Sequence, residues 1–243
     1  HKKIYPYQMW LDGLYMGSPF LSQYAKAFNE PELFDDVLNQ VYLIDKYTWV
    51  EEEGLYYHAW DESREQKWSN PDTGRSPHAW GRAMGWFSMA LVDMLDFFPE
   101  NYPKRSELLA IHKKMADAIV ASQTESGLWW QVLDMPGAEG NYLEASVSSM
   151  FTYFLLKSVN KGYLSDEYKV AGIKGYEAIA ETLIQKNDDG TISLTQVCGV
   201  AGLGGDPYRD GTFEYYVNEI IRDNDPKGVG PFIMASIEFE HLN

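Results

Sequence analysis

Two kinds of helical segment alternate along this chain of 243 residues, and their alternation restricts the fold more than any other feature. Segments of the first kind begin with small residues and then turn apolar; they cover residues 12–28, 85–98, 145–159 and 228–242. Segments of the second kind carry apolar residues three and four positions apart; they cover residues 31–47, 106–122 and 166–185. The sequence therefore predicts repeated hairpins of one buried and one half-exposed helix.

A glycine followed by aromatic or β-branched residues recurs between these hairpins, at Gly54, Gly127 and Gly190. Repeats that cannot bury their own apolar face must stack on their neighbours. We therefore expect an all-α fold, an (α/α)6 toroid of inner and outer helices, with short strands in cleft loops at residues 55–60 and 129–133. An open helical solenoid is the alternative. Seven helical segments are too few for six hairpins, so residues 1–243 are expected to form one toroid domain without its N-terminal hairpins.

The composition narrows the choice of ligand. Asp and Glu number 36 against 20 Lys and Arg, and the resulting net charge of −16 argues against nucleic acid as a partner. No run of 18 apolar residues is present, so no membrane span is expected. Eight Trp and 17 Tyr supply many rings of the kind that stack on sugars, which makes carbohydrate a candidate ligand.

The single cysteine, Cys198, excludes an internal disulfide and suits a reducing compartment. We therefore expect a cytoplasmic location. Because the sequence begins at His1 rather than at Met, a signal peptide upstream is the alternative. The oligomeric state cannot be read from the sequence.

Asp12 is the candidate catalytic residue. It follows Trp10 and Leu11 and precedes Gly13 at a predicted helix start, where aromatic neighbours would remove water from the carboxyl group and favour its protonated form. The alternative is an N-cap, because aspartate before an apolar helix commonly accepts the first free backbone N–H groups.

Other candidates lie in two later segments. His58 stands in an aromatic strand, where it is either a cleft residue or a packed, hydrogen-bonded histidine. Trp80, Arg82 and Trp86 place two indoles and a guanidinium at the start of an apolar helix, a combination suited to gripping a carboxylate. The alternative is an arginine paired with one of the many acidic side chains, with both indoles in the core.

The two ends of the chain add weaker signals. His1, Lys2 and Lys3 form a basic run that can attract an anionic ligand locally, although such a run is usually a solvated surface. The glycine-rich stretch from Gly202 to Asp206 lacks the context of a phosphate-binding loop and is either a site of close approach to a sugar or a turn. The histidine spacing predicts no metal site, and no cofactor is expected.

Five segments in one order resemble glycoside hydrolase family 105, the unsaturated rhamnogalacturonyl hydrolases: residues 2–6, 8–16, 80–86, 200–205 and 227–232. The similarity runs the whole length of the chain. It implies a six-hairpin toroid and a pectin-derived oligosaccharide that carries a 4,5-unsaturated galacturonic acid. The reaction it implies is hydration of that double bond, with protonation at C4 and addition of water at C5.

The same resemblance places the general acid and base on Asp12. Its cleft residues fall on His1, Lys2, His58, Trp80, Arg82 and Trp86, and the loop from Gly202 to Asp206 would close over the sugar. We further expect Arg82 to bind the uronate carboxylate. Family members carry additional helices and a second cleft aspartate before the position of His1, and that aspartate has no counterpart here.

Three other functions stay open at the level of sequence. The nearest is an unsaturated glucuronyl hydrolase like those of family 88. The second is a non-catalytic sugar-binding toroid in which Asp12 is a cap, and the third is a helical scaffold for protein partners.

Overall fold

A computed structural model describes residues 5–242. The helices within this part are α1 (Leu11–Phe28), α2 (Leu33–Thr48), α3 (Gly81–Leu95), α4 (Arg105–Ala121), α5 (Ala145–Asn160), α6 (Lys169–Thr182), α7 (Phe213–Val217) and α8 (Pro226–Glu240). The strands are β1 (Gln8–Trp10), β2 (Trp49–Val50), β3 (Leu55–Tyr56), β4 (Ala59–Asp61), β5 (Ile184–Lys186), β6 (Ile192–Leu194), β7 (Val197–Cys198) and β8 (Ile221–Arg222). They pair antiparallel as β1–β4, β2–β3, β5–β6 and β7–β8.

The helices form two layers, as the two kinds of segment predict. Helices α1, α3, α5 and α8 pack side by side in chain order as an inner layer, and α2, α4 and α6 lie outside it. Helix α5 is buried along almost its entire length because it lies between α3, α6 and α8. The apolar character of the inner segments is therefore explained by contacts on several sides.

Two glycines let the inner helices approach closely. A Cβ atom at Gly81 would lie 2.9 Å from the carbonyl oxygen of Trp130, and one at Gly85 would lie 2.6 Å from Sδ of Met150 on α5. Helix α3 begins at Gly81, four residues before the start predicted at Gly85. Both glycines lie inside the helix, where they allow close packing and do not break it.

Two predicted details need correction. The third amphipathic segment ends its helix at Thr182, and Ile184–Lys186 pairs with Ile192–Leu194 as strand instead. The predicted strand at residues 129–133 forms only isolated bridges, from Trp130 to Leu143 and from Val132 to Trp80. The expected strands at residues 55–60 are confirmed as β3 and the start of β4. Within residues 5–242 no helix has the length and apolar character needed to cross a membrane.

Candidate active site

A set of mostly extended segments, here called the extended belt, joins the first turns of α1, α3 and α5. It consists of residues 8–12, 58–61, 76–81, 129–133 and 142–145, linked by backbone hydrogen bonds. The N–H of Leu11 donates to the carbonyl of His58 over 3.0 Å, and the N–H of His58 donates to that of His78 over 3.2 Å. The N–H of Gly81 in turn donates to the carbonyl of Gln131 over 2.9 Å. The belt therefore brings Asp12, in the first turn of α1, next to His58.

Asp12 and His58 face each other. Oδ1 of Asp12 lies 3.6 Å from Nε2 of His58, and both atoms are buried without a hydrogen-bond partner in the described part of the chain. The Asp12 side chain as a whole is 26% exposed, whereas His58 is fully buried. One carboxyl oxygen is thus sheltered against an imidazole while the group remains open to a ligand.

Tyr216 fixes the other side of the imidazole. Its hydroxyl lies 2.7 Å from Nδ1 of His58, and burial raises its pKa well above the usual value of 10, so the phenol stays protonated. Nδ1 of His58 is the one hydrogen-bond partner that residues 5–242 offer this hydroxyl. A hydroxyl hydrogen donated to Nδ1 would place the proton of a neutral imidazole on Nε2, the nitrogen that faces Asp12.

Aromatic rings surround this pair. Trp10 meets the His58 ring edge-on at 5.3 Å between centroids, and Trp80 lies 4.8 Å from the same ring. Trp86 is half-buried and stacks on Tyr15 at 4.7 Å, one helical turn after Asp12. Trp80, expected in the cleft wall, is 2% exposed and lies against His58 and Tyr216. Because His58 and Tyr216 contact each other directly, Trp80 packs beside both rings, and it supports His58 rather than offering an open face to a sugar.

Arg82 also differs from expectation. Its guanidinium is 1% exposed and donates to Oγ of Ser146 over 2.7 Å, to Oε1 of Glu144 over 3.3 Å and to the carbonyls of Cys198 and Gly199. With its donors directed at these protein acceptors, the guanidinium is not placed to bind a uronate carboxylate. The alternative reading of the sequence, an arginine paired with an acidic side chain, is the one that the structure supports.

Glu144 is the centre of this buried network. Besides Arg82, its carboxylate accepts hydrogen bonds from Ser146 Oγ and from the backbone N–H groups of Val147 and Cys198. It caps the N-terminus of α5 and ties that helix to α3 and to β7. Glutamate is not among the residues usually preferred at an N-cap, so the sequence does not single out Glu144 as a cap.

The glycine-rich loop lies beside the site, but its tip is exposed. The N–H of Gly202 donates to the hydroxyl of Tyr215 over 3.0 Å, and a Cβ there would lie 2.5 Å from the Arg209 guanidinium. Leu203 packs against Trp10, Ala59 and Trp68 in a small cluster. Asp206 is exposed at the far end of the turn. The structure thus brings the base of the loop to the wall of the site and leaves Asp206 in solvent.

A second histidine lies on the belt. Nδ1 of His78 is 2.6 Å from Oδ2 of Asp134, whose other oxygen accepts from the N–H of Ala79. His78 is partly exposed and Phe213 approaches its ring at 6.3 Å. Neither this pair nor Tyr216 was predicted, because the partners lie 56 and 158 residues apart in the chain. His1 and Lys2 lie outside the described residues. Among residues 5–242 no group of three or more His, Cys, Asp or Glu side chains is placed to hold a metal ion.

Comparison with known proteins supports the resemblance found in the sequence. The whole chain, residues 1–243, matches Glycosyl Hydrolase Family 88. The solved structure of a family 105 glycoside hydrolase from Clostridium acetobutylicum is 47% identical and superposes with a TM-score of 0.96, covering 99% of this chain and 67% of that one. The similarity confirms the six-hairpin toroid fold, of which residues 5–242 supply four inner helices.

Curated relatives fall into two groups. Protein Atu3128 of Agrobacterium fabrum is 44% identical over 229 residues, which cover 92% of this chain and 97% of that protein. An unsaturated 3S-rhamnoglycuronyl hydrolase of an Alteromonas species is 26% identical over 94% of this chain, and the unsaturated rhamnogalacturonyl hydrolase YesR of Bacillus subtilis is 28% identical over 78%. The chain spans about half the length of these two hydrolases.

Proposed function

We propose that this chain, which belongs to Glycosyl Hydrolase Family 88 and to the family 105 glycoside hydrolases, hydrolyses unsaturated rhamnogalacturonan oligosaccharides. It would release the terminal 4,5-unsaturated galacturonyl residue by hydrating its double bond. The observation that carries the proposal is the pair formed by Asp12 and His58, 3.6 Å apart at the start of an inner helix. The name of the relative YesR supports the choice of substrate.

The reaction begins with a proton transfer from Asp12. The C4=C5 bond is an enol ether, so a carboxyl proton delivered to C4 leaves positive charge shared between C5 and the ring oxygen. The carboxylate formed on Asp12 then lies beside the Nε2–H of His58, which stabilises the negative charge as it develops. A positioned acid of this kind typically contributes about 10²–10⁴-fold to the rate.

Addition of water completes the cycle. Water attacks C5 and gives its proton to the Asp12 carboxylate, which restores the acid and leaves a hemiketal at C5. The hemiketal opens by breaking the bond between C5 and the ring oxygen, and the hemiacetal exposed at C1 expels the rhamnose-containing remainder. One carboxyl group thus acts first as acid and then as base, which fits a site where the described residues place a single carboxylate against His58.

An absorbance assay tests this proposal. The purified protein is given a lyase-generated unsaturated rhamnogalacturonan disaccharide, an unsaturated 3S-rhamnoglycuronyl disaccharide and an unsaturated chondroitin disaccharide. We expect the ultraviolet absorbance of the double bond to disappear fastest with the first, with kcat/KM higher by at least about tenfold, or about 1.4 kcal/mol.

The other outcomes are equally informative. A faster reaction with either other disaccharide would overturn the choice of substrate while keeping the reaction type. Binding of all three without any loss of absorbance would favour a non-catalytic sugar-binding toroid.

A further inference from the structure

A groove of about 670 Å³ lies between the β2–β3 hairpin and the C-terminal half of α4. The loop that follows α4 closes its third side. None of the side chains assigned to the reaction lines this groove. We propose that it is a second carbohydrate site, one that takes a single neutral pyranose unit.

The floor of the groove is aromatic and apolar. Trp49 and Trp130 line it together with Leu55, Leu133 and Pro136. Trp130 is half-buried although Trp129 before it is fully buried, because alternate residues of an extended segment face opposite sides. Indole rings supply a flat surface for the C–H face of a sugar ring.

The Trp49 ring is held in place before any ligand arrives. Its Nε1–H donates to Oε2 of Glu51 over 2.6 Å, and Nζ of Lys114 lies 4.5 Å from its ring centroid. Lys114 is fixed in turn by an ion pair with Asp45. A ring oriented in this way loses little conformational freedom when a ligand stacks on it.

The polar groups of the groove accept hydrogen bonds rather than donate them. Glu51, Glu53 and Asp117 place three carboxylates at its edge. Lys113 pairs with Asp117, and the ammonium of Lys114 in the groove is already paired with Asp45, so the carboxylates of Glu51 and Glu53 have no ion-pair partner among the described residues. Gln123 uses its amide N–H groups on the carbonyls of Gly127 and Ala171, which leaves its side-chain oxygen as an acceptor.

This chemistry selects a ligand with several hydroxyl donors, an apolar face and no negative charge. A neutral pyranose has all three properties, whereas the carboxylates would repel a uronate. The groove is thus complementary to a different sugar from the one proposed for Asp12.

The groove and the catalytic cleft share one segment of the extended belt. Trp130 faces the groove, while Nε2 of Gln131 donates to the carbonyl of Tyr216 over 3.4 Å on the other side. A sugar in the groove would therefore lie at the same end of the inner helices as Asp12. The proposal concerns binding alone and does not depend on the reaction proposed for the cleft.

Ligand-observed NMR on the Asp12→Asn protein tests the site without turnover. The probes are methyl β-D-galactopyranoside and methyl α-L-rhamnopyranoside as neutral sugars, galacturonate as the charged one, and choline as an organic cation. We expect saturation transfer to at least one neutral glycoside, and no effect of groove substitutions on any transfer to galacturonate. Trp130→Ala and Glu51→Gln should each weaken that binding about tenfold or more, which corresponds to about 1.4 kcal/mol.

Phe28→Ala is the matched control, because Phe28 is an aromatic residue 65% exposed at the end of α1, outside the groove. It should leave binding unchanged. Where Trp130→Ala lowers the melting temperature, the exposed Glu51→Gln change decides the result. Absence of binding by both neutral glycosides, equal effects of Trp130→Ala and Phe28→Ala, or a preference for choline would each overturn the proposal. Since the methyl glycosides have no double bond, any of these results leaves the function proposed for the cleft unaffected.

Discussion

The hydroxyl of Tyr216 lies 2.7 Å from Nδ1 of His58, although 158 residues separate them in the sequence. This contact places Tyr216 where its hydroxyl can set which imidazole nitrogen carries the proton that faces Asp12. We therefore expect Tyr216 to be a positioning residue that acts on Asp12 through His58.

Removing the Tyr216 hydroxyl should change the reaction more than the binding. In Tyr216→Phe the Nδ1 atom of His58 loses its partner, so we expect kcat to fall about 10- to 100-fold with little change in KM, and the free energy of unfolding to fall by about 1–3 kcal/mol. Nitrogen-15 NMR should show the Nε2–H tautomer of His58 in the unaltered protein and a mixture in the variant. Tyr56→Phe is the control, since its buried hydroxyl bonds Asp45 away from His58. An unchanged tautomer in Tyr216→Phe would contradict the assigned role.

Asp12→Asn should abolish turnover, while the variant should still bind the substrate. An amide cannot deliver the proton to C4 or accept one from water, and the loss should reach about 10²-fold or more. Because asparagine has nearly the same shape as aspartate, isothermal titration calorimetry should still detect binding of the oligosaccharide. Turnover within a few-fold of that of the unaltered protein would contradict the assignment of Asp12 as the acid.

Breaking the buried pair of Arg82 and Glu144 should destabilise the fold. Arg82→Met leaves the Glu144 carboxylate buried beside α5 without its cation, and we expect a loss of about 3–5 kcal/mol in urea unfolding. Lys113→Met removes an exposed helix pair with Asp117 and should leave the midpoint unchanged within error. Equal effects of the two substitutions would show that the buried network is not a major source of stability.

Acid should destabilise the protein partly through His112. Burial on α4 lowers the pKa of His112 to about 3, so the folded protein keeps it neutral while the unfolded chain takes up a proton below about 6.5. The contribution of His112 to the free energy of unfolding is therefore complete above pH 6.5 and decreases as the pH falls toward 3. At pH 5 the loss is about 2 kcal/mol. His112→Gln should show a correspondingly smaller difference between urea midpoints at pH 7.5 and 5. An identical pH dependence in both proteins would exclude this contribution.

Cys198 should be unreactive in the folded protein. It is fully buried, and burial raises its pKa to about 11, so little thiolate forms near neutral pH. We expect a disulfide reagent to label it only at the rate of unfolding, and to label one thiol per chain in urea. Arg82→Met should accelerate labelling, because the Cys198 carbonyl accepts from Arg82. Rapid labelling of the unaltered native protein would contradict the buried position.

The helical hairpins follow from sequence because their signals are local. Apolar spacing located α2 and α4 within two residues, and the turn of small residues before an apolar run located α5 at Ala145. For these three helices the spacing of a single segment is sufficient. That Asp12 and His58 share one cleft was implied by the family resemblance and not by spacing.

The buried contacts of Arg82 and Trp80 could not be predicted from the sequence because they depend on long-range partners. The Arg82 guanidinium meets Glu144, 62 residues later, and composition alone does not show which of 36 acidic residues is buried beside it. Trp80 faces the interior because Tyr216 packs on it from the end of the chain. The spacing of residues in a sequence predicts which face of a helix or strand is buried. It does not predict which distant side chains pack against that face.

The extended belt holds the backbone of Asp12 and His58 in place, whereas the loops that leave the belt can vary. The chain leaves the belt after Asp61 and returns near Ser76, and it leaves again after Leu133 and returns near Tyr142, with both joins closed by backbone hydrogen bonds. Apart from residues that contact the belt, such as Asp134 and Trp68, the intervening loops can lengthen, shorten or change sequence without moving the backbone that carries Asp12 and His58. Sequence changes in these two excursions can therefore alter the surface around Asp12 and His58 while the two residues keep their relative positions.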